Sequence, residues 1–257
     1  MKTLLETRKL TKFFGGLAAV HEVDFQVRES EIVGLIGPNG AGKSTFFNLI
    51  SGFHPVTTGT ILFQERDITG VKAHKIASLG IARAFQAATL FMELSVFDNV
   101  FNGLHGHYHE PAWKAFLHLS SVRKEEQGAR ERVREIIDFM GLADHADRKA
   151  RNLPHGHQKI LGVCIAMATA PKLLLLDEPF TGMHPEETAV MIRVVEKIRD
   201  SGVTIVIVEH NMEAVMRLCD RIAVLNQGRK IAEAEPQEIA HNPEVIEAYL
   251  GSDEEEL

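Results

Sequence analysis

The nine residues GPNGAGKST, Gly37 to Thr45, restrict this chain more than any other stretch. They fit the spacing G-x-x-x-x-G-K-[ST] at every position and continue directly from the apolar run EIVGLIG (31–37). That context, a strand before and a helix after, is the one the spacing requires. Gly37, Gly40 and Gly42 let the backbone N–H groups curl around a phosphate chain. Pro38, Asn39, Ala41 and Thr45 complete the loop. A helix predicted from Lys43 adds the positive end of its dipole. Lys43 is expected to reach the β- and γ-phosphates of a nucleotide, and Ser44 to ligate Mg²⁺.

The surrounding pattern is that of an α/β protein. Val23, Phe25 and Val27 alternate within 20–27, which predicts a half-buried strand. Further strands are predicted at 31–37 and 60–64 and in the apolar runs 173–179 and 203–210, which end in acidic or His residues, with helices over 71–79 and 185–200. Strands alternating with helices imply a mostly parallel sheet covered on both faces. Ligands bind such sheets beyond the carboxyl ends of the strands. The phosphate loop, Asp177 and Glu178 in LLLLDEP, and His210 in VTIVIVEH all fall there. From 96 to 149 the character changes. This segment is rich in His, Lys, Arg and Glu, with helical spacing at Val133, Ile136, Ile137 and Met140. It reads as an inserted helical subdomain, and 252–257 as an acidic tail.

Composition narrows the function classes. With 257 residues, 45% of them hydrophobic, the chain is long enough for a large core. A formal net charge of −7 disfavours general affinity for nucleic acid or anionic lipid. Cys164 and Cys219 sit in apolar contexts and are expected to be buried, reduced thiols, consistent with the cytosol. The N-terminus lacks the apolar core of a signal peptide. The longest apolar runs, such as ILGVCIAMATA, are about half the length needed to cross a bilayer. In HGHYHE, His105, His107 and His109 would share a face if extended, and three imidazoles can bind zinc. No fourth ligand lies nearby in sequence, so a polar loop is the expectation.

Asp177, at the end of an apolar strand, is expected beside the phosphate loop, holding Mg²⁺. Glu178, one residue on, is placed to accept a proton from an attacking water. His210 ends the next strand, where an imidazole can hydrogen-bond a γ-phosphate and orient water or the base. Gln86, after GIARAF, offers an amide that can ligate Mg²⁺ or position water.

The order of phosphate loop, Gln86, the stretch LPHGH (153–157), LLLLDEP and His210 resembles the ATP-binding subunit of ABC transporters over nearly the whole chain. KFFGGLAAV, GIARAFQ, EPFTGMHPEE and NPEVIEAYLG resemble its branched-chain amino-acid uptake branch. The resemblance implies a P-loop NTPase cassette. Residues 1–95 and 150–257 would form a RecA-like ATP-binding core with an antiparallel β subdomain, and 96–149 the helical subdomain. It implies that Phe14 stacks on adenine, with Phe13 the alternative. It also implies a second ATP-binding subunit, in a hetero- or homodimer, and transmembrane permease subunits. A periplasmic or extracellular solute-binding protein would act indirectly, and the site of work would be the cytoplasmic face of the membrane. The motor motifs do not choose the cargo. Urea, amides or exported lipid would suit the same motor, and a soluble ATP-binding switch is the other class.

In this family LPHGH occupies the place of an L-S-G-G-Q signature that completes the partner chain's ATP site. Pro154 lacks the serine hydroxyl and a backbone N–H but suits the first turn of a helix. Gly156 preserves close backbone approach to phosphate. His155 and His157 bring imidazoles that can donate to phosphate, more strongly when protonated. His184 stands where the family usually has Asp. Three imidazoles at one expected interface predict a hydrolysis rate that falls off differently below neutral pH.

Overall fold

Strand β3 (Ile32–Ile36), which delivers the phosphate loop, has all five residues buried, so both its faces need cover. The computed structural model, which describes residues 2–84, 90–105 and 120–250, shows what supplies it. The chain forms two units, Met1–Arg83 with Lys172–Leu257, and Ala84–Pro171.

In the first unit the chain opens with two long strands, β1 (Thr3–Phe14) and β2 (Leu17–Arg28), before β3. Helix α1 (Lys43–Ile50) follows the loop, then β4 (Thr58–Phe63), β5 (Arg66–Asp67), α2 (Ala73–Ser78) and β6 (Ile81–Ala84). The helical unit contributes α3 (Val96–His105), α4 (Ser120–Phe139) and α5 (His155–Ala168). The chain returns through β7 (Leu173–Asp177), α6 (Pro185–Asp200), β8 (Thr204–Val208) and α7 (Met212–Leu218). It ends with β9 (Arg221–Asn226), β10 (Arg229–Ala234), α8 (Pro236–Ala240) and α9 (Pro243–Leu250).

One sheet has the order β10-β9-β3-β8-β7-β6. Strands β9, β3, β8 and β7 run parallel, and β10 pairs antiparallel at the edge. The second sheet, β2-β1-β4-β5, is antiparallel. The fold is therefore the mostly parallel α/β core with an antiparallel β sheet expected above. The strand carrying Asp177 is not next to β3, because β8 lies between them. All five residues of β8 are buried, which suits that inner place.

The two faces of the parallel sheet are covered differently. Val33, Leu35, Leu175, Val206 and Val208 join one core with Phe46, Phe47 and Ile50 of α1 and with Leu5, Val20 and Phe25 of the antiparallel sheet. Phe25 meets Phe46 edge to face, with ring centroids 5.3 Å apart. On the other face a Cβ at Gly34 would lie 3.0 Å from Cys219 Sγ and 3.3 Å from Val215 Cγ1, so α7 packs there at close range. Both cysteines are buried free thiols, and burial pushes their pKa values up, that of Cys219 to about 12. A glutamate pair fixes the strand ends: Arg221 reaches Glu31 at 2.8 Å and also bonds Glu233.

The helical unit is built around α3, which packs on α4 and α5. A Cβ at Gly103 would lie 2.8 Å from Ile165 Cγ2, which shows how closely α3 and α5 approach. Buried Asn99 accepts the Phe91 N–H at 2.9 Å and donates to the carbonyls of Phe91 and Ser95. Because α5 packs on α3, the unit contains the predicted insert 96–149 and extends beyond it at both ends. Among the described residues, no helix is long and apolar enough to cross a membrane.

Candidate functional site

The phosphate loop is held from behind by backbone. At Gly37, φ is +149° and a Cβ would sit 2.0 Å from the carbonyl oxygen of Leu225. Gly40 also has positive φ, +74°, but nothing lies within 4 Å of where its Cβ would be. The turn between β9 and β10 braces the loop: Gly228 N–H donates to Ala41 O at 3.0 Å, and His21 N–H to Gly228 O at 2.7 Å. Pro38 and Ala41 are buried, whereas Asn39, Gly40 and Ser44 are exposed and Thr45 is half-buried. Lys43 is buried and curls back along the loop, donating to Gly37 O at 2.6 Å and Pro38 O at 2.8 Å. Burial lowers its pKa, and the charge of Glu178 partly offsets that, which places Glu178 within electrostatic reach of the ammonium.

Asp177 and Glu178 emerge from β7 in different surroundings. Asp177 Oδ2 pairs with Arg83 at 2.5 Å, both side chains nearly buried. The same guanidinium donates to Asn48 Oδ1 at 2.7 Å and lies over the Phe47 ring, so it ties α1 to the end of β7. Glu178 has φ +49°, rare for a residue with a side chain, and its N–H donates to Val208 O at 2.9 Å. Its carboxylate accepts from Thr181 Oγ1 at 3.2 Å and contacts His210 Nε2 at 3.2 Å. A carboxylate only accepts, so Nε2 carries the hydrogen in that contact. The structure thus brings Lys43, Glu178 and His210 to one end of the sheet.

Two residues that the sequence reading passed over stand among them. Arg83 is a cation within the apolar strand IARA, and a charge there signals a buried partner. Glu209 closes the apolar run before His210 and is 1% exposed. It accepts the N–H groups of Phe180 at 2.7 Å, His210 at 2.8 Å and Asn211 at 3.0 Å.

The remaining predicted residues are distributed as follows. Phe13 and Phe14 end β1, both substantially exposed. Phe14 has the Lys12 ammonium 4.9 Å from its ring centroid and the His54 ring edge-on at 5.5 Å, and Phe13 meets His21. In the helical unit α5 begins at His155, so Pro154 caps the helix instead of occupying its first turn. Its φ of −54° and ψ of 153° are extended, the geometry a cap needs. His155 is exposed, Gly156 buried, and His157 packs edge-on against His145 at 5.0 Å. His184 caps α6, its N–H donating to Glu187 at 3.1 Å. Gln86, His107, His109 and the tail 252–257 lie outside the described residues.

Ser44 and Asp177 offer hydroxyl and carboxylate oxygens, donors that suit a hard cation such as Mg²⁺. Among the described residues no cluster of three or more His, Cys, Asp or Glu side chains has the arrangement of a protein-only metal centre.

A sequence profile described as ABC transporter matches residues 20–181. This chain belongs to the ABC transporter family. A second profile, of the branched-chain amino acid ATP-binding cassette transporter, matches residues 229–255 of the cassette. The cassette is 41% identical over 249 residues to the high-affinity branched-chain amino acid transport ATP-binding protein LivG of Salmonella typhimurium, covering 96% of this chain and 98% of that one. It is 38% identical over 251 residues to the corresponding protein BraF of Pseudomonas aeruginosa, covering 97% and 98%. Among solved structures it is similar to the ADP conformation of MJ1267, an ATP-binding cassette of an ABC transporter. That likeness has a TM-score of 0.86 at 30% identity, over 98% of this chain and 100% of the other.

Proposed function

We propose that this cassette is the ATP-hydrolysing motor subunit of an importer for branched-chain amino acids. The observation that carries the ATPase reading is Glu178 held 3.2 Å from His210, within electrostatic reach of buried Lys43. The cargo class is supported by the likeness to LivG and BraF and by the match at 229–255.

In this reading the loop from Gly37 to Thr45 wraps the phosphates and Lys43 turns from its carbonyl partners to the β- and γ-oxygens. Phe14 stacks on the adenine. Ser44, Asp177 and Gln86 hold Mg²⁺, which neutralises phosphate charge when bound. Glu178 takes the proton of the water that attacks the γ-phosphorus, and the bond to the ADP oxygen breaks. His210 orients that carboxylate and the γ-phosphate through its Nε2–H. The segment Pro154, His155, Gly156 and His157 would complete the site of a second ATP-binding subunit, so that ATP draws the two together and hydrolysis releases them. Permease subunits would turn that closure into transport at the cytoplasmic face of the membrane, supplied by a solute-binding protein.

The test is Glu178→Gln. It is expected to bind ATP as tightly as wild type while kcat falls by at least about 10²-fold. Turnover at the wild-type rate would remove Glu178 as the base. Co-purification of the tagged cassette with permease subunits, and leucine-dependent stimulation of its ATPase in vesicles, would test the cargo.

A further inference from the structure

Glu209 is the most buried carboxylate near the site, and its three partners come from two different loops. Oε1 accepts the N–H of Phe180, two residues beyond Glu178, across 29 positions of sequence. Oε2 accepts the N–H groups of His210 and Asn211. Asn211 is itself fixed, since its side chain accepts from Ala214 N and caps α7. One carboxylate therefore ties the turn after β7 to the loop after β8 at the level where Glu178 meets His210.

We infer that Glu209 is a positioning residue for hydrolysis, setting the Glu178–His210 geometry by clamping the two loops that carry them. The inference rests on the proposed roles of Glu178 and His210. The chemistry requires an anion with two acceptor oxygens. All three partners are donors, and a carboxylate has only acceptor sites to offer them. An amide at this place matches one loop and turns its NH₂ toward an N–H of the other. A shift of about 1 Å between groups that act together costs on the order of 10²-fold in rate. Its three hydrogen bonds go to the loops after β7 and β8, so its loss is expected to act on the chemical step more than on nucleotide binding.

The experiment is a double-mutant cycle of Glu209→Gln with His210→Ala in the full chain, read by steady-state ATPase kinetics and by amide hydrogen exchange without nucleotide. Glu209→Gln is expected to lower kcat by about 10²-fold with KM for ATP near wild type. Exchange should rise at residues 178–181 and 210–211 together. On the His210→Ala background Glu209→Gln should cost little more, because the geometry it sets is already gone. Should Glu209→Gln not fold, Glu209→Asp replaces it in the same cycle, keeping the charge while its shorter reach holds only one loop. Fully additive losses, or KM rising in step with the fall in kcat, would overturn the inference. If His210→Ala alone turns over like wild type, the reading of His210 falls. If His210→Ala is slow and the cycle is additive, only the role of Glu209 falls.

Discussion

Arg83 and Asp177 form an ion pair at 2.5 Å, with side-chain exposures of 7% and 12%. Asp177, the residue proposed to hold Mg²⁺, is thus already balanced by a cation from the neighbouring edge strand. Removing one member of such a pair leaves a charge stranded in a nearly dry place, at a cost of about 3 kcal/mol. Arg83→Ala is expected to lose that much stability in urea unfolding, and Arg83→Ala with Asp177→Ala to recover part of it. Equal stability of Arg83→Ala and wild type would contradict the pair's importance.

The glycines of the phosphate loop are not equivalent. Gly37→Ala drives a Cβ to 2.0 Å from a backbone oxygen that no side-chain rotation relieves. It is expected to destabilise by more than about 3 kcal/mol and to abolish nucleotide binding. Gly40→Ala meets open space, and only its φ of +74° opposes it. That substitution should cost about 1 kcal/mol and leave a folded protein. Thermal unfolding with and without ATP separates the two.

Much of this arrangement was legible in the residues, for physical reasons. β3, β7 and β8 are buried on both faces, so each appears as an unbroken apolar run. α6 was legible to the residue, since His184-Pro185 starts it and Ser201-Gly202 ends it. β1 was not. Register shifts at Thr3/Leu5, Thr7/Leu10, Leu10/Lys12 and Lys12/Phe13 break the period-two pattern by which a strand is read. The candidate site residues at strand ends stand out in the sequence because their loops carry distinctive spacing. Arg83 and Glu209 were not, because their roles lie in partners 94 and 29 residues away, which no local pattern encodes.

Phe14 carries a cation against its ring and a second ring at its edge, which hold it at the end of β1. Stacking of a base on an aromatic ring is worth about 1–3 kcal/mol. Phe14→Ala is therefore expected to raise KM for ATP about 10-fold with kcat little changed, and Phe14→Tyr to behave like wild type. Phe13→Ala should do less. A larger effect from Phe13→Ala would transfer the adenine contact to Phe13.

Lys43 offers a prediction with two opposite signs. Its folded-state pKa is lowered, first by burial, with Glu178 opposing. A lowered value means that burial disfavours the ammonium by more than the charge of Glu178 favours it. Between the folded and unfolded values the unfolded chain binds more protons, so this group's contribution to stability rises with pH there and is adverse below. Lys43→Met removes the adverse charge and should leave the nucleotide-free protein at least as stable as wild type at neutral pH. The difference in urea unfolding should shrink as pH rises toward the ordinary lysine range. The same substitution removes the cation proposed to meet the β- and γ-phosphates, so ATP affinity should fall by about 10²-fold. A variant that loses stability and affinity together would mean that Lys43 is mainly a structural prop of the loop.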